Sequence, residues 1–308
     1  MIPLPLRLGT RGSALALAQA AQVTAALAAA HAELAAPGAI ETVAIRTTGD
    51  KIQDRPLYEL GGKALFTKEI EEALLAGRID VAVHSGKDMP TFLPPGLILA
   101  ACLPREDPRD AFLSRRADSI AGLAAGAAVG TSSPRRTAQI LHARPDLKIV
   151  PLRGNIDTRI RKLEAGEVDA AILALAGLKR LGLEARATAI IPVAEMLPAP
   201  AQGAIALEIR AEDERAASYL AAIDHAPTSL CIAAERVFLA VLGGDCRTPI
   251  AALARIDEAT LQFRAAILKP DGSARLAAAR DGAVGEAMAL ATDAGRDLLA
   301  RAGLGFFG

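Results

Sequence analysis

The residues best suited to chemistry sit in a few short polar segments, each following an apolar run. Val83-His84-Ser85-Gly86-Lys87-Asp88-Met89-Pro90 ends one such run. Charged groups just past the carboxyl end of a strand lie where open α/β sheets bind ligands, so Asp88 is the candidate general acid or base. A turn aspartate paired with Lys87 is the plainer explanation of the same spacing. His84 reads as a satisfied core histidine and is given no catalytic part. Gly9-Thr10-Arg11-Gly12-Ser13 and Gly130-Thr131-Ser132-Ser133-Pro134 each put a serine, Ser13 or Ser133, where a helix N-cap belongs. Pro134 fits the first helical position. Backbone N–H groups at such helix starts can hold a carboxylate, and Arg11, Arg135 and Arg136 stand beside them. Leu152-Arg153-Gly154-Asn155 repeats the arrangement, with Asn155 as a cap and Arg159 and Arg161 on the helix that follows. Gly243-Gly244-Asp245-Cys246-Arg247 is a turn carrying a cysteine. That thiol is either inert and buried, or exposed with Arg247 favouring and Asp245 opposing its thiolate.

Charge placement narrows the ligand. The chain has 35 basic and 35 acidic residues and a net charge of +0, yet the window from Thr131 to Lys162 carries eight basic residues against Asp146 and Asp157. Such a local positive field predicts an anionic ligand. Guanidinium forks match carboxylates in bidentate geometry. Nucleic acid is the other obvious anion, but aromatics are 3% of the chain and Trp is absent, which leaves few platforms for base stacking.

The elements that must position these residues alternate. Strand patterns over 4–10, 42–47 and 79–84 alternate with helix patterns over 13–34 and 66–75. A second set has a strand at Val129, helices over 134–143 and 156–165, and strands over 148–152 and 169–173. Alternation of this kind predicts α/β layers on a largely parallel sheet. The two sets echo each other: Leu75-Ala76-Gly77-Arg78-Ile79-Asp80-Val81-Ala82 resembles Glu164-Ala165-Gly166-Glu167-Val168-Asp169-Ala170-Ala171. Two proline-bearing crossings, Pro104-Arg105-Glu106-Asp107-Pro108 and Leu197-Pro198-Ala199-Pro200-Ala201-Gln202-Gly203, separate them. The expected organisation is a first domain over 1–103 and 204–221, a second over 109–197, and a smaller α+β domain over 226–308. The last has helices over 229–242 and 285–302 and strands near 250–254, 261–268 and 274–280. Its length of 308 residues suits this division. Hydrophobic residues make up 52%, but 69 are Ala, and the Ala-rich stretch at 14–36 is interrupted by Gln19, Gln22, His31 and Glu33. It therefore reads as a soluble helix and not a membrane span. Three distant cysteines exclude a disulfide framework or a usual zinc cage. The N-terminus lacks the regions of a signal peptide, so a cytoplasmic protein is expected.

Taken in order, these motifs resemble the porphobilinogen deaminase (hydroxymethylbilane synthase) family. The resemblance runs from Gly9-Thr10-Arg11 with Ser13 and Gln19, through Thr48-Gly49-Asp50, Gly62-Lys63 and His84-Ser85 with Lys87-Asp88. It continues with Gly130-Thr131-Ser132-Ser133, Arg135-Arg136, Leu152-Arg153-Gly154-Asn155, Thr158-Arg159, Ala176-Gly177-Leu178-Lys179-Arg180, Gln202-Gly203, Glu235-Arg236 and the Cys246 loop. It implies two α/β domains like type II periplasmic binding proteins, with mixed sheets, and the α+β C-terminal domain. It implies a dipyrromethane cofactor held as a thioether on Cys246, and no metal. The family joins four porphobilinogen units head to tail with loss of ammonia and hydrolyses the product from the cofactor. Asp88 then corresponds to the catalytic carboxylate. Lys87, Thr131, Ser132, Ser133, Arg135, Arg136 and Arg159 correspond to cofactor contacts, and Arg11, Ser13, Gln19, Arg153, Arg159 and Arg180 to substrate contacts. Phe66 packs over a pyrrole ring or belongs to the core. The implied partners are porphobilinogen and the growing oligopyrrole, met by a monomer that binds neither nucleic acid nor membrane. Asp245, Ala64 and Pro200-Ala201 depart from the commonest family pattern. Two other classes fit the residues alone: a non-catalytic carboxylate-binding protein on the same fold, and a nucleic-acid binder using the arginines.

Overall fold

The computed structural model describes residues 5–51, 66–244, 248–303 and 305–307. These form two compact units. The first gathers the described residues within Met1–Ile52, Gly62–Glu106 and Ala204–Ser229, the second those within Asp107–Gly203 and Leu230–Gly308.

In chain order the first unit opens with β1 (Leu6–Arg11), α1 (Ala14–Ala30), β2 (Ile40–Ile45), α2 (Thr48–Lys51), α3 (Lys68–Leu75), β3 (Val81–Ser85) and β4 (Leu97–Cys102). The second follows with β5 (Asp110–Ser114), β6 (Ala128–Gly130), α4 (Pro134–Ala143), β7 (Lys148–Val150), α5 (Ile156–Glu164), β8 (Ala170–Ala174), α6 (Leu175–Arg180) and β9 (Ala189–Ile190). The chain then returns to the first unit with β10 (Ile205–Arg210) and α7 (Glu214–Ala221), runs along α8 (Ala226–Leu242), and ends with β11 (Ile250–Asp257), β12 (Thr260–Leu268), β13 (Arg275–Ala283) and α9 (Ala287–Ala302).

The two larger sheets share one plan. The first has the order β2-β1-β3-β10-β4 and the second β7-β6-β8-β5-β9. In each, four strands share one sense, and the strand that follows a crossing enters antiparallel to both its neighbours: β10 against β3 and β4, and β5 against β8 and β9. The sheets are therefore mixed, as the family resemblance implies, with one reversed strand in each, and the sequence echoes fall on equivalent elements of the two. Alternating burial accounts for the layers: Val81, Val83, Ile205, Leu207 and Ile209 join the cluster under α1 and α7, while Ala82 joins Ile70, Ala73 and Leu74 of α3 on the other face. Strands β4, β5 and β9 and helices α6 and α7 were not anticipated. The first two flank the proline-bearing crossing, where their apolar runs are cut short. The expected helix over 13–34 ends at Ala30, because His31 turns extended, with φ −133°, and its Nε2 lies 3.0 Å from the Tyr219 carbonyl oxygen.

The antiparallel sheet β11-β12-β13 packs with α8 and α9 around Phe238, Phe263, Leu261, Ile267 and Leu298. Within the second unit it also meets α4, through Ala138, Leu197, Ala251, Leu253, Ala266 and Leu268. At its edge the β12–β13 turn touches α4, where His142 Nδ1 lies 2.9 Å from the Gly272 carbonyl oxygen. Gly272 has φ +75°, and a Cβ there would fall 2.6 Å from the His142 backbone nitrogen. Gly272→Ala should therefore destabilise the protein by about 2 kcal/mol, from left-handed strain and overpacking together. Thermal unfolding beside wild type checks this; an unchanged midpoint would contradict it. Among the described residues no single helix is long and apolar enough to cross a membrane.

Candidate active site

In the first unit β1 and β3 lie parallel, with Leu8 opposite Val81 and Gly9 opposite Ala82, so their carboxyl ends open together. With β2 on the other flank of β1, this is the switch point of the sheet, where α/β proteins bind ligands. Gly9 permits the close approach, since a Cβ there would lie 2.2 Å from Ile79 Cδ1. The Thr10 hydroxyl donates to the Val83 carbonyl at 3.2 Å and ties the two strand ends. Ser13 then caps α1, its Oγ accepting from the Ala16 amide at 3.3 Å.

Around that opening Arg11, Ser13, Gln19, Phe66, Thr67, His84, Lys87 and Asp88 share a cavity of about 70 Å³. Past β3 the chain makes one 3-10 turn, Gly86–Asp88, which brings Lys87 and Asp88 to the rim. Asp88 is half-buried and has no hydrogen-bond or ion-pair partner among the described residues, so the expected pairing with Lys87 in a plain turn is not what forms. The Arg11 guanidinium carbon stands 4.1 Å from the Phe66 ring centroid, a cation–π contact that fixes its direction. Phe66 also packs on Gly49, where a Cβ would fall 2.3 Å from the ring. The ring is thus engaged by the protein itself. Gln19 is buried, and its amide meets the Ser85 hydroxyl at 2.9 and 3.0 Å. That braces α1 against the end of β3, while Gln19 remains in the lining of the same cavity. His84 is buried, as expected, and its Nε2 lies 3.0 Å from Glu208 Oε2.

The equivalent place in the second unit lies at the ends of β6 and β8, with the turn after β7 on the other flank of β6. Ser133 caps α4 by accepting from the Arg136 amide at 3.4 Å, and the Thr131 hydroxyl accepts from the Ser133 amide at 3.2 Å. Asn155 caps α5 by accepting from the Thr158 amide at 2.9 Å. Gly154 turns with φ +106°, and Arg159 Nε donates to its carbonyl at 2.8 Å. Arg153, on the same turn, is half-buried. Arg180 is half-buried and donates from Nη2 to the Gly203 carbonyl at 2.7 Å.

Arg135 and Arg136 differ from expectation. Both are buried, and their guanidinium groups converge on Asp110, at 2.8 and 2.7 Å. Arg135 donates further to the Leu197 carbonyl, Arg136 to that of Ile172, and Gln202 Nε2 donates to Asp110 Oδ1 at 2.8 Å. Burial pushes the Asp110 carboxyl up, but the two guanidinium groups and the Gln202 bond outweigh it and hold the group well below the usual carboxylate range. Asp110 is the residue that sequence reasoning missed. Its signal was an acid opening the apolar run Asp110-Ala111-Phe112-Leu113, unexplained beside an arginine excess. Two polar atoms of this cluster, Ser132 Oγ and Arg135 Nε, are buried without a hydrogen-bond partner. Cys246, its neighbours Asp245 and Arg247, and the Gly62-Lys63 pair lie outside the described residues. Cys102 and Cys231 are buried and form no disulfide. Among the described residues no group of His, Cys, Asp and Glu could hold a metal ion.

Residues 6–218 match the family model described as porphobilinogen deaminase, dipyromethane cofactor binding domain, and residues 229–300 match the porphobilinogen deaminase C-terminal domain. A porphobilinogen deaminase of Nitrobacter hamburgensis is 56% identical over 300 residues, spanning 97% of this chain and 94% of that protein. The chloroplastic porphobilinogen deaminase of Oryza sativa subsp. japonica is 53% identical over 98% of this chain and 85% of its own length. Among solved structures, a periplasmic substrate-binding protein of an ABC transporter from Coxiella burnetii resembles it distantly, with a TM-score of 0.46 and 16% identity over 75% of this chain and 96% of that one. Two family models that together span most of the sequence, and relatives sharing more than half of its residues over nearly its whole length, show that the chain belongs to the porphobilinogen deaminase family.

Proposed function

We propose that the cavity at Asp88 is the reaction centre of this transferase, which joins four porphobilinogen units head to tail and releases hydroxymethylbilane in tetrapyrrole biosynthesis. The observation that carries the reading is the half-buried Asp88 carboxylate, without a partner among the described residues, in a cavity shared with Arg11, Ser13 and Lys87. Each coupling breaks the bond from the aminomethyl carbon to nitrogen, forms a carbon–carbon bond to the terminal ring, and releases ammonia and one ring proton. Porphobilinogen carries an acetate and a propionate. Arg11, fixed on Phe66, and Lys87 attract these, and Ser13 adds a neutral donor. Asp88 accepts from the pyrrole N–H of the incoming ring and stabilises the cation left when its amine departs. In this reading it is also the base for the proton the terminal ring then loses.

When bound, the dipyrromethane cofactor supplies the free ring carbon to which the first unit is joined. The second unit fits its carboxylates. Ser132 Oγ and Arg135 Nε are buried donors that an anionic side chain would satisfy, beside the capped start of α4. In this reading Arg136 is held inward by Asp110, and Arg153 from the turn before α5 and Arg159 from α5 itself serve the same opening. Arg180 meets an incoming carboxylate from α6. The domain limits proposed are 1–103 with 204–221, 109–197, and 226–308, in a cytoplasmic monomer.

Cys246 is proposed as the attachment point, as the family resemblance implies, and the burial of Cys102 and Cys231 agrees with it. Cys246→Ala should give protein without covalent pyrrole and with almost no activity, while Cys102→Ala and Cys231→Ala keep the cofactor. Intact mass with an aldehyde colour test for pyrroles distinguishes these. An adduct retained by Cys246→Ala would overturn the assignment.

A further inference from the structure

Behind the Asp88 cavity lies a polar cluster that the reaction as described does not use. Register puts Ala206 opposite His84 and Glu208 opposite Ala82, so His84 and Glu208 share the sheet face that α3 covers. Helix α3 brings Glu71 to that face, among Ile70, Ala73 and Leu74. All three titratable side chains are buried, Glu208 at 0% exposure. Glu71 Oε1 and Glu208 Oε1 have no hydrogen-bond partner. Leaving a carboxylate oxygen unpaired in an apolar layer is costly, so the cluster is not explained by packing alone. Its one outlet toward ligand is His84, which lines the Asp88 cavity and is held from behind by Glu208.

We propose that Glu208, acting through His84, is a positioning residue for the reaction centre: it fixes the imidazole in the cavity wall and keeps negative charge behind the ring that becomes cationic. This rests on the reading of the Asp88 cavity given above. The two carboxyls stand differently toward His84, since Glu208 meets its Nε2. Burial pushes the Glu71 carboxyl up, and nearby Glu208 adds to this, while His84 works the other way. Among the described residues the titratable groups that face Glu71 are Glu208 of β10, His84 of β3 and Glu72 on its own helix. Glu71 thus keeps its proton more readily than an ordinary glutamate, and Glu208 is the one that meets the imidazole. Glutamine mimics a protonated glutamate but changes the acceptor that His84 meets, so the two positions respond differently to the same change.

The test compares Glu208→Gln, Glu71→Gln, His84→Asn and Asp88→Asn with wild type, all as holoenzymes whose intact mass shows the loaded cofactor. Glu208→Gln should lower kcat at least tenfold with KM within threefold. Glu71→Gln should keep kcat and KM within twofold. It should also flatten the loss of stability on raising pH, because a raised folded pKa makes the native state lose stability as pH climbs from the unfolded value through the folded one. A merely structural role would make both Gln variants costly alike and would not separate kcat from KM. If Glu208→Gln does not load, His84→Asn reads the same link from the other side and should show the same fall in kcat. Retention of kcat within twofold by Glu208→Gln, or by His84→Asn, while Asp88→Asn is inactive, would overturn the proposal and leave the reaction centre standing. A tenfold loss in Glu71→Gln would overturn the assignment of the effect to Glu208. Activity in Asp88→Asn would instead remove the reaction centre on which the proposal rests.

Discussion

Asp88→Asn should lower kcat by on the order of 10²–10⁴ while leaving the fold and any preloaded cofactor in place. The substitution keeps the shape of the side chain at the end of the Gly86–Asp88 turn. It removes both the negative charge that favours the departing amine's carbocation and the oxygen that takes a proton afterwards. Because Asp88 has no hydrogen-bond partner among the described residues, the amide strands no buried group, and thermal stability should hardly change. KM should move less than kcat, since Arg11 and Lys87 still attract the substrate carboxylates. Steady-state release of hydroxymethylbilane, measured on protein of verified cofactor content, checks this. Turnover within threefold of wild type would remove Asp88 from the mechanism.

The largest stability effect is expected at Asp110. Asp110→Ala removes the one carboxylate that meets both Arg135 and Arg136 and leaves two guanidinium groups buried against each other. Removing one partner from a buried ion pair typically costs about 3–5 kcal/mol. In a unit of this size that is a fall in Tm on the order of 10 °C. The pH dependence has a definite sign. The folded Asp110 carboxyl is held below its unfolded value, so its contribution is present above that unfolded value and is lost as pH falls through the folded one. Wild type should therefore lose stability on acidification below about pH 4, and Asp110→Ala should lose less over the same range because it is already without that contribution. Denaturant unfolding of both proteins at neutral and acid pH measures the difference. Equal midpoints at neutral pH would show that the arginines are compensated elsewhere.

Much of the fold and of the first unit's site was legible because its signals are local. Ser13, Ser133 and Asn155 cap the helices that follow them, and Pro134 stands at the first turn of α4. The strand-end segment His84 to Asp88 reaches the sheet opening that its position after an apolar run predicted. What escaped reading depends on distant partners. A charge count treats Arg135 and Arg136 as facing solvent, but Asp110 lies 25 residues before Arg135 and turns both inward. His84 finds Glu208 across a separation of 124 residues, through the strand that returns from the second crossing. The bond between Gln19 and Ser85 likewise waits on β3. The mixed sheets came only with the family resemblance, because β5 and β10 pair with strands far away in sequence.

The central claim, that this chain elongates a covalently held pyrrole primer with porphobilinogen, is tested most directly by intact mass spectrometry of the purified protein before and during limited substrate addition. The account predicts a starting mass above that of the bare 308-residue chain by two porphobilinogens less two ammonias. Limited substrate should then add steps of one porphobilinogen less one ammonia, to no more than four. A mass equal to the bare chain in active protein, or an excess that stays unchanged as hydroxymethylbilane accumulates, would contradict it.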